Sequence, residues 1–169
     1  NMSINLLPQD ICRENYEQWL LDEAHAAGVK PDRITLEITE STLLERNEAV
    51  VERLSNLRKA GFRIAVDDFG TGYASLAYLT SLPLDILKID RGLVDNIVRG
   101  SRDRIVMHAM IQMAHDLGLE VLVEGVETAA QLELLNGWGC DVYQGFLGAG
   151  ALNEVELSRF VATSNAVTV

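Results

Sequence analysis

The sequence predicts a parallel α/β fold in which strands curl towards a barrel with helices outside. Two observations carry that reading. Strand-like runs alternate with runs of helical period six times over 169 residues, with short connections, the pattern of successive strand–helix–strand units. Every strand also supplies a polar residue within it or at its end: Asn5, Glu37, Asp67 with Asp68, Lys88 with Asp90, Glu124 with Glu127, and Gln144. A parallel strand covered on both faces should be almost continuously apolar, so each of these demands an account. In a β/α barrel the carboxyl ends of all strands meet at one mouth, where active sites sit. An open, doubly wound sheet is the competing topology, but its ligands come mainly from one switch point, and contributions from every strand favour the closed ring.

In order, residues 2–7 form a short apolar strand closed by Pro8, with Asn5 its conspicuous polar member. Residues 9–27 follow as a helix with Ile11, Tyr16, Trp19, Leu20 and Ala24 on its apolar side, stopped by Gly28. Residues 33–41 alternate Ile34, Leu36 and Ile38 against Thr35, Glu37 and Thr39, a strand ending near Glu40. Residues 48–60 place Val50, Val51, Leu54 and Leu57 at helical spacing before Gly61. Residues 63–68 are a strand, 73–81 a short helix, and 85–90 the next strand, with Lys88 and Asp90 on one face.

Residues 101–117 read as a helix capped by Ser101, with Ile105, Val106, Ala109, Met110, Met113 and Leu117 on one side and Gly118 at its end. Its methionines are core filler. Residues 120–127 form a strand that ends in acids, and Thr128 caps a helix through Trp138, with Gly139 at its end. The last strand spans residues 140–147, with Gln144-Gly145 in its middle. A final helix over 153–162 packs Val155, Leu157, Phe160 and Val161, leaving 163–169 as a frayed tail.

The stretch Arg63 to Ser75 concentrates the chemistry. Two adjacent acids, Asp67 and Asp68, end a strand and run into Gly70-Thr71-Gly72. At a separation of about 4 Å and an effective dielectric near 20, two like charges repel by roughly 4 kcal/mol, so a proton or cation belongs between them. Hard carboxylate oxygens suit magnesium, manganese or calcium. Ordinary turn chemistry is the bland alternative for an Asp-Asp-x-Gly sequence. A dinucleotide-type glycine loop is a weaker one, because the two acids lie where a pyrophosphate would approach.

Composition narrows the partners. A formal net charge of −11 argues against binding a polymeric nucleic-acid backbone, so metal ions must supply positive charge if the ligand carries phosphate. Cys12 and Cys140 lie far apart with no ligand at metal spacing, which points to buried free thiols in a reducing cytoplasm. No apolar run has membrane-spanning length and the first residues lack a signal-peptide layout. The chain opens in mid-pattern, the expectation being a piece of something longer.

A ring of strand ends would gather Glu37, Asp67, Asp68, Glu124 and the Asn5 amide oxygen as oxygen ligands around a lone Lys88. That composition suits a two-metal site, which clamps an in-line phosphoryl displacement. His25, His108 and His115 fall on helices away from the strand ends.

These same stretches resemble the EAL phosphodiesterase domains that linearise cyclic di-GMP. The match runs through Ser3-Ile4-Asn5-Leu6, Leu36-Glu37-Ile38-Thr39-Glu40, Asp67-Asp68-Phe69-Gly70-Thr71-Gly72, Leu87-Lys88-Ile89-Asp90, Glu124-Gly125-Val126-Glu127-Thr128 and Gln144-Gly145-Phe146, in family order over nearly the whole chain. The resemblance implies a TIM-type barrel. Asn5, Glu37 and Asp67 look like ligands of one Mg²⁺ or Mn²⁺, and Asp67 with Asp68 would serve a second; Ca²⁺ is expected to bind but inhibit. Glu124 resembles the acid near the second metal and the attacking water, Lys88 the residue that holds that water, and Gln144 a hydrogen-bonding catalytic residue. Glu40 resembles the anchor of loop 69–75, which includes Thr71 and Gly72 and is tied in the family to metal binding and dimer contact. Glu127 and Asp90 take supporting positions.

The resemblance further implies a cytoplasmic domain of a bacterial signalling protein that controls biofilm and motility. Its partners would be cyclic di-GMP, a second copy in a homodimer, and upstream GGDEF and sensor domains in a parent that a membrane anchor could tether. Two departures accompany it. The glutamate of the Glu-Ala-Leu signature would lie before residue 1, and Gly150-Ala151 stands where family members often have Arg-Pro. Six of eight strand–helix units leave bare sheet edges, with the expectation that molecules associate or that the fragment is inactive alone.

Two readings compete with the enzyme. One is an impaired domain that binds cyclic di-GMP as a receptor. The other is an enolase-like or aldolase-like lyase using Lys88 as a Schiff base. Carboxylates around a lone amine raise its pKa and make it a poor nucleophile.

Overall fold

The computed structural model describes residues 1–11, 13–39, 48–70, 76–100 and 102–164. Six strands form one sheet in the order β1-β2-β3-β4-β5-β6, every neighbouring pair parallel. They are β1 (Met2–Asn5), β2 (Ile34–Thr39), β3 (Arg63–Phe69), β4 (Ile86–Ile89), β5 (Glu120–Glu124) and β6 (Val142–Gln144). The described helices are α1 (Pro8–Ile11), α2 (Tyr16–Ala26), α3 (Glu48–Lys59), α4 (Leu76–Ser81), α5 (Arg91–Val94), α6 (Arg102–Asp116), α7 (Ala129–Gly137) and α8 (Glu154–Ser164). The sheet curls into an incomplete TIM-type barrel.

Period-two alternation gives the sheet two unlike faces. Leu36, Ile38, Ile64, Val66, Leu87, Ile89, Val121 and Val123 are all fully buried beneath the helices, with Leu54, Leu57, Met107, Ile111 and Leu135. Each such side chain contributes roughly 1.5–3 kcal/mol of burial. The intervening residues Ser3, Thr35, Glu37, Arg63, Ala65, Lys88, Glu120, Leu122 and Val142 line the concave face around a space of about 210 Å³. Arg63 and Glu120 form an ion pair across β4 on this face. The polar residues that interrupt the strand sequences therefore share one side of the sheet.

Two matching clamps tie strand starts together at the opposite end from the polar cluster. Asp85, just before β4, accepts the Ile64 N–H at 3.0 Å and ion-pairs with Arg58 near the end of α3 at 2.9 Å. Asp141, just before β6, accepts the Val121 N–H at 2.8 Å and pairs with His115 near the end of α6 at 2.8 Å. Each aspartate satisfies an N–H that the staggered edge of a parallel ladder leaves over.

Three sequence expectations are corrected. The helix over 9–27 is two helices, because Asn15 adopts a left-handed φ of 58° between them, and Trp19 is 44% exposed. The helix over 101–117 buries Met107, Ile111 and Ala114, with Met110 and Met113 partly buried, and leaves Ile105, Val106, Ala109 and Leu117 exposed. The buried face lies about one residue, roughly 100°, from the expected one; on the exposed side Arg104 lies 5.9 Å from the Trp138 ring and His108 stacks on it at 5.5 Å. The last helix runs to Ser164 and leaves Val155, Leu157, Phe160 and Val161 exposed. Local chemistry sets it: Asn153 Oδ1 accepts the Val155 and Glu156 N–H groups, and Glu156 Oε2 accepts the Asn153 N–H.

Among the described residues, no helix is long and apolar enough to cross a membrane. Cys140 is a half-buried free thiol, and burial pushes its pKa up to about 11. Cys12, Ser75 and Ser101 lie outside the described residues.

Candidate active site at the strand carboxyl ends

Lys88 organises the site. Its Nζ lies 2.7 Å from Asp67 Oδ1, 2.8 Å from Glu124 Oε1 and 2.9 Å from Glu37 Oε2, so one ammonium bridges acids from β2, β3 and β5. It is 5% exposed and Glu37 is 9% exposed. Burial alone would lower the Lys88 pKa, but the hydrogen bonds to Asp67, Glu124 and Glu37 outweigh it and hold the ammonium well above the ordinary lysine value. The amine is protonated at any physiological pH, so it is no Schiff-base nucleophile.

The other expected residues take distinct places. Asn5 pairs in register with Glu37, at the carboxyl end of β1, and Gln144 pairs in register with Glu124. Asp68 follows Asp67 with a left-handed φ of 56°, and its N–H donates to Asp67 Oδ1 at 3.0 Å. Burial, with the charges of Asp67 and Asp90 beside it, raises the Asp68 pKa. Asp90 caps α5, accepting the Gly92 N–H at 2.8 Å. Glu40, Thr71 and Gly72 lie outside the described residues.

The loop after β5 is fixed by Gln131. Its Oε1 accepts the N–H groups of Glu127 and Thr128, each at 2.9 Å, and its Nε2 donates to the Val94 carbonyl at 3.3 Å. Thr128 caps α7 in return. Val126 N–H donates to Gln144 O at 3.1 Å, and Val126 O accepts the Leu147 N–H at 3.0 Å.

Beside Glu124 this loop opens a cavity of about 480 Å³ lined by Arg91, Glu127, Gln144 and Phe146 among others. Arg91 and Phe146 were not legible as site residues. They reach the cavity because a Cβ on Gly125 would collide with Arg91, and one on Gly145 with the Val126 backbone. The paired glycines were the available signal.

Three carboxylates, of Glu37, Asp67 and Glu124, stand around one ammonium, with Asp68 next to Asp67 and Asn5 paired in register with Glu37. Such hard oxygen donors suit a divalent cation, and could hold one. In this arrangement Lys88 takes the central place, and among the described residues no three His, Cys, Asp or Glu side chains are grouped to hold a metal ion.

A parallel β/α half-barrel with acids and a buried lysine at the carboxyl ends of its strands has the layout of the β/α-barrel enzymes, whose sites sit at that mouth. Within it, the sequence profile of the EAL domain matches residues 1–151, and the chain belongs to that family. The cyclic di-GMP phosphodiesterase NbdA of Pseudomonas aeruginosa is 42% identical over 146 residues, 84% of this chain and 19% of that protein. The bifunctional diguanylate cyclase/cyclic di-GMP phosphodiesterase MucR of the same organism is 37% identical over 147 residues, 87% of this chain and 22% of that protein. The solved MucR phosphodiesterase, a c-di-GMP complex, is similar with a TM-score of 0.84 at 35% identity, over 93% of this chain and 64% of that one. Klebsiella pneumoniae BlrP1 in a manganese/cy-diGMP complex gives 0.78 at 35% identity, over 86% of this chain and 37% of that one. A calcium complex of BlrP1 is equally similar. The chain spans about a fifth of the length of these two curated relatives.

Proposed function

We propose that this chain is a metal-dependent phosphodiesterase domain that cuts one phosphoester of cyclic di-GMP to give linear pGpG. The observation that carries the reading is the convergence of Glu37, Asp67 and Glu124 on Lys88, with Asn5, Asp68 and Gln144 at neighbouring strand ends. The names of NbdA and MucR support the substrate class. The manganese and calcium complexes of BlrP1 support a divalent cation.

On this reading Asn5, Glu37, Asp67, Asp68 and Glu124 hold two Mg²⁺ or Mn²⁺ ions. Bound there, the ions would offset charge on the phosphate oxygens and activate water. Glu124 borders the cavity and takes the proton of the attacking water, at an oxygen oriented by Lys88. Lys88 keeps the acids apart and donates hydrogen bonds without giving up its own proton. Gln144 steadies the Glu124 side of the site from the adjacent strand.

The central position of Lys88 favours a second reading. With an ammonium already occupying the centre of the acids, the domain on this reading binds the dinucleotide as a receptor without cutting it. Incubating the chain with cyclic di-GMP and Mn²⁺ or Mg²⁺, and resolving products by chromatography, separates the two. Linear dinucleotide that disappears in Asp67→Ala supports the enzyme; binding without cleavage supports the receptor.

The same reading places the domain in the cytoplasm, as a homodimer, in a longer protein with GGDEF and sensor domains upstream. MucR, named for both a cyclase and a phosphodiesterase activity, supports such a pairing.

A further inference from the structure

We propose that Gln131 is a positioning residue for the reaction: by tying the loop after β5 to α5, it holds the Glu124 carboxylate against the Lys88 ammonium. The inference rests on the phosphodiesterase reading above and adds to it a buried amide, 7% exposed, that stands outside the acidic cluster.

Lys88 and Glu124 meet at 2.8 Å from two different strands, so the connections that follow those strands set how the two side chains face each other. After β4, Asp90 caps α5 by accepting the Gly92 N–H. After β5, Gly125 turns the chain at φ 74°, so close to Arg91 that a Cβ there would collide with it. One hydrogen bond crosses between these packed connections, from Gln131 Nε2 to the Val94 carbonyl at 3.3 Å. Among the described residues, no other hydrogen bond joins α5 to residues 124–131.

A helix cap asks less of this side chain than it gives. A capping box needs an acceptor at N3 for the N-cap N–H, and glutamate serves there as well as glutamine. Close to a helix N-terminus glutamate has the further benefit of complementing the macrodipole. Gln131 Oε1 does accept the Thr128 N–H at 2.9 Å, but it also accepts the Glu127 N–H at 2.9 Å, and only an amide can donate to Val94 as well. A carboxylate in its place would set a charge against a carbonyl in buried surroundings. The bonds beyond the cap therefore fix Glu127, three residues after Glu124, to a helix that begins three residues after Lys88. A displacement of about 1 Å caused from outside the reacting centre can cost about 100-fold in rate, which is what such a tie prevents.

The test separates the tie from the cap. Gln131→Glu keeps the acceptor for Glu127 and Thr128 and loses the donor to Val94; Gln131→Met loses both. Thr128→Ala is the control, since it removes the cap hydroxyl and leaves the tie. The readout that needs no turnover is ammonium exchange in ¹⁵N-lysine NMR spectra of the full chain. Of its three lysines, Lys30 and Lys59 are exposed, so a slowly exchanging ammonium reports Lys88 alone. In Gln131→Glu that exchange should quicken by at least about tenfold, the lower end for one hydrogen bond to a charged group. With cyclic di-GMP and Mg²⁺, its kcat should fall by at least about tenfold with KM little changed, close to Gln131→Met although it melts nearer wild type. Thr128→Ala should melt lower than wild type and keep both its kcat and its slow ammonium.

Exchange or kcat unmoved in Gln131→Glu overturns the proposal and leaves the phosphodiesterase reading standing. So does a Thr128→Ala variant that loses kcat in step with its melt, because the role would then be structural. A wild type that turns over no cyclic di-GMP overturns that reading and, with it, the part of Gln131 in the reaction.

Discussion

The ammonium of Lys88 and the carboxylate of Asp67, from adjacent strands, are 2.7 Å apart, and the same nitrogen also holds Glu37 and Glu124. One cation thus balances three acids that burial would otherwise set against one another. The arrangement explains how strands with acidic ends fold at all, and it marks where further positive charge is wanted.

Lys88→Met should therefore cost more than a lost contact. Breaking a buried ion network typically costs about 3–5 kcal/mol, because the remaining charges are left without a partner. Thermal melts are expected to show that loss without divalent metal, and a partial recovery when Mg²⁺ is added. Because the lysine's pKa is raised, its contribution is complete below the ordinary lysine value of about 10.4 and is lost only as pH rises through the higher folded value. Wild-type stability should accordingly show no alkaline limb from this group below about pH 10.

Gly125→Ala tests the packing between α5 and the loop after β5. The residue has φ 74°, and a methyl there would collide with Arg91 Cβ. The left-handed conformation alone costs about 1–2 kcal/mol for a non-glycine residue. We expect a melt lowered by at least that amount and weaker cyclic di-GMP binding, whereas Gly100→Ala, at φ 71° with open space around it, should show only the conformational cost.

The Asp141 clamp gives a pH dependence with a definite sign. Burial opposes its charge, but the Val121 N–H and His115 outweigh burial and lower its pKa. A lowered carboxylate pKa contributes stability above the ordinary value of about 3.9 and loses it as pH falls through the folded value. Both partners are partly exposed, so the contribution is about 1 kcal/mol or less. Asp141→Asn should be less stable than wild type at pH 7 by that amount in urea melts, with the difference shrinking as pH falls below the ordinary carboxylate value of about 3.9 and vanishing once Asp141 is protonated in the folded state.

Cys140 should be slow to alkylate. With its thiol pushed up to about 11, the thiolate fraction at pH 8 is on the order of 100-fold below that of an ordinary cysteine. In a Cys12→Ser background, iodoacetamide labelling followed by mass spectrometry is expected to be correspondingly slow and to accelerate towards pH 11.

The sheet and the acidic cluster were legible because a parallel strand leaves few reasons for a polar residue. Glu37, Asp67, Lys88 and Glu124 each interrupt an apolar run at the same end of a strand, and the structure joins all four. The buried face of α6 was not legible, because Ile105, Val106 and Leu117 are as apolar as Met107 and Ile111, and only packing decides which of them is covered. The exposed stripe of α8 looked like a core face since periodicity records amphipathicity, not what covers it. Arg91 opens the four-residue helix α5, too short to show a period, and Phe146 follows β6, so only Gly125 and Gly145 hint at the close approach. The sequence placed a lysine among the acids; that it would bridge three of them is a fact of geometry.

The most direct test of the account is turnover of cyclic di-GMP by the chain after chelation, followed by stepwise return of Mn²⁺ or Mg²⁺. Linear dinucleotide should be absent without metal, appear as metal is restored, and be reduced at least about 100-fold in Asp67→Ala, as expected when a group stabilising the transition state is lost. Product formed equally well without metal, or undiminished in Asp67→Ala, would contradict it.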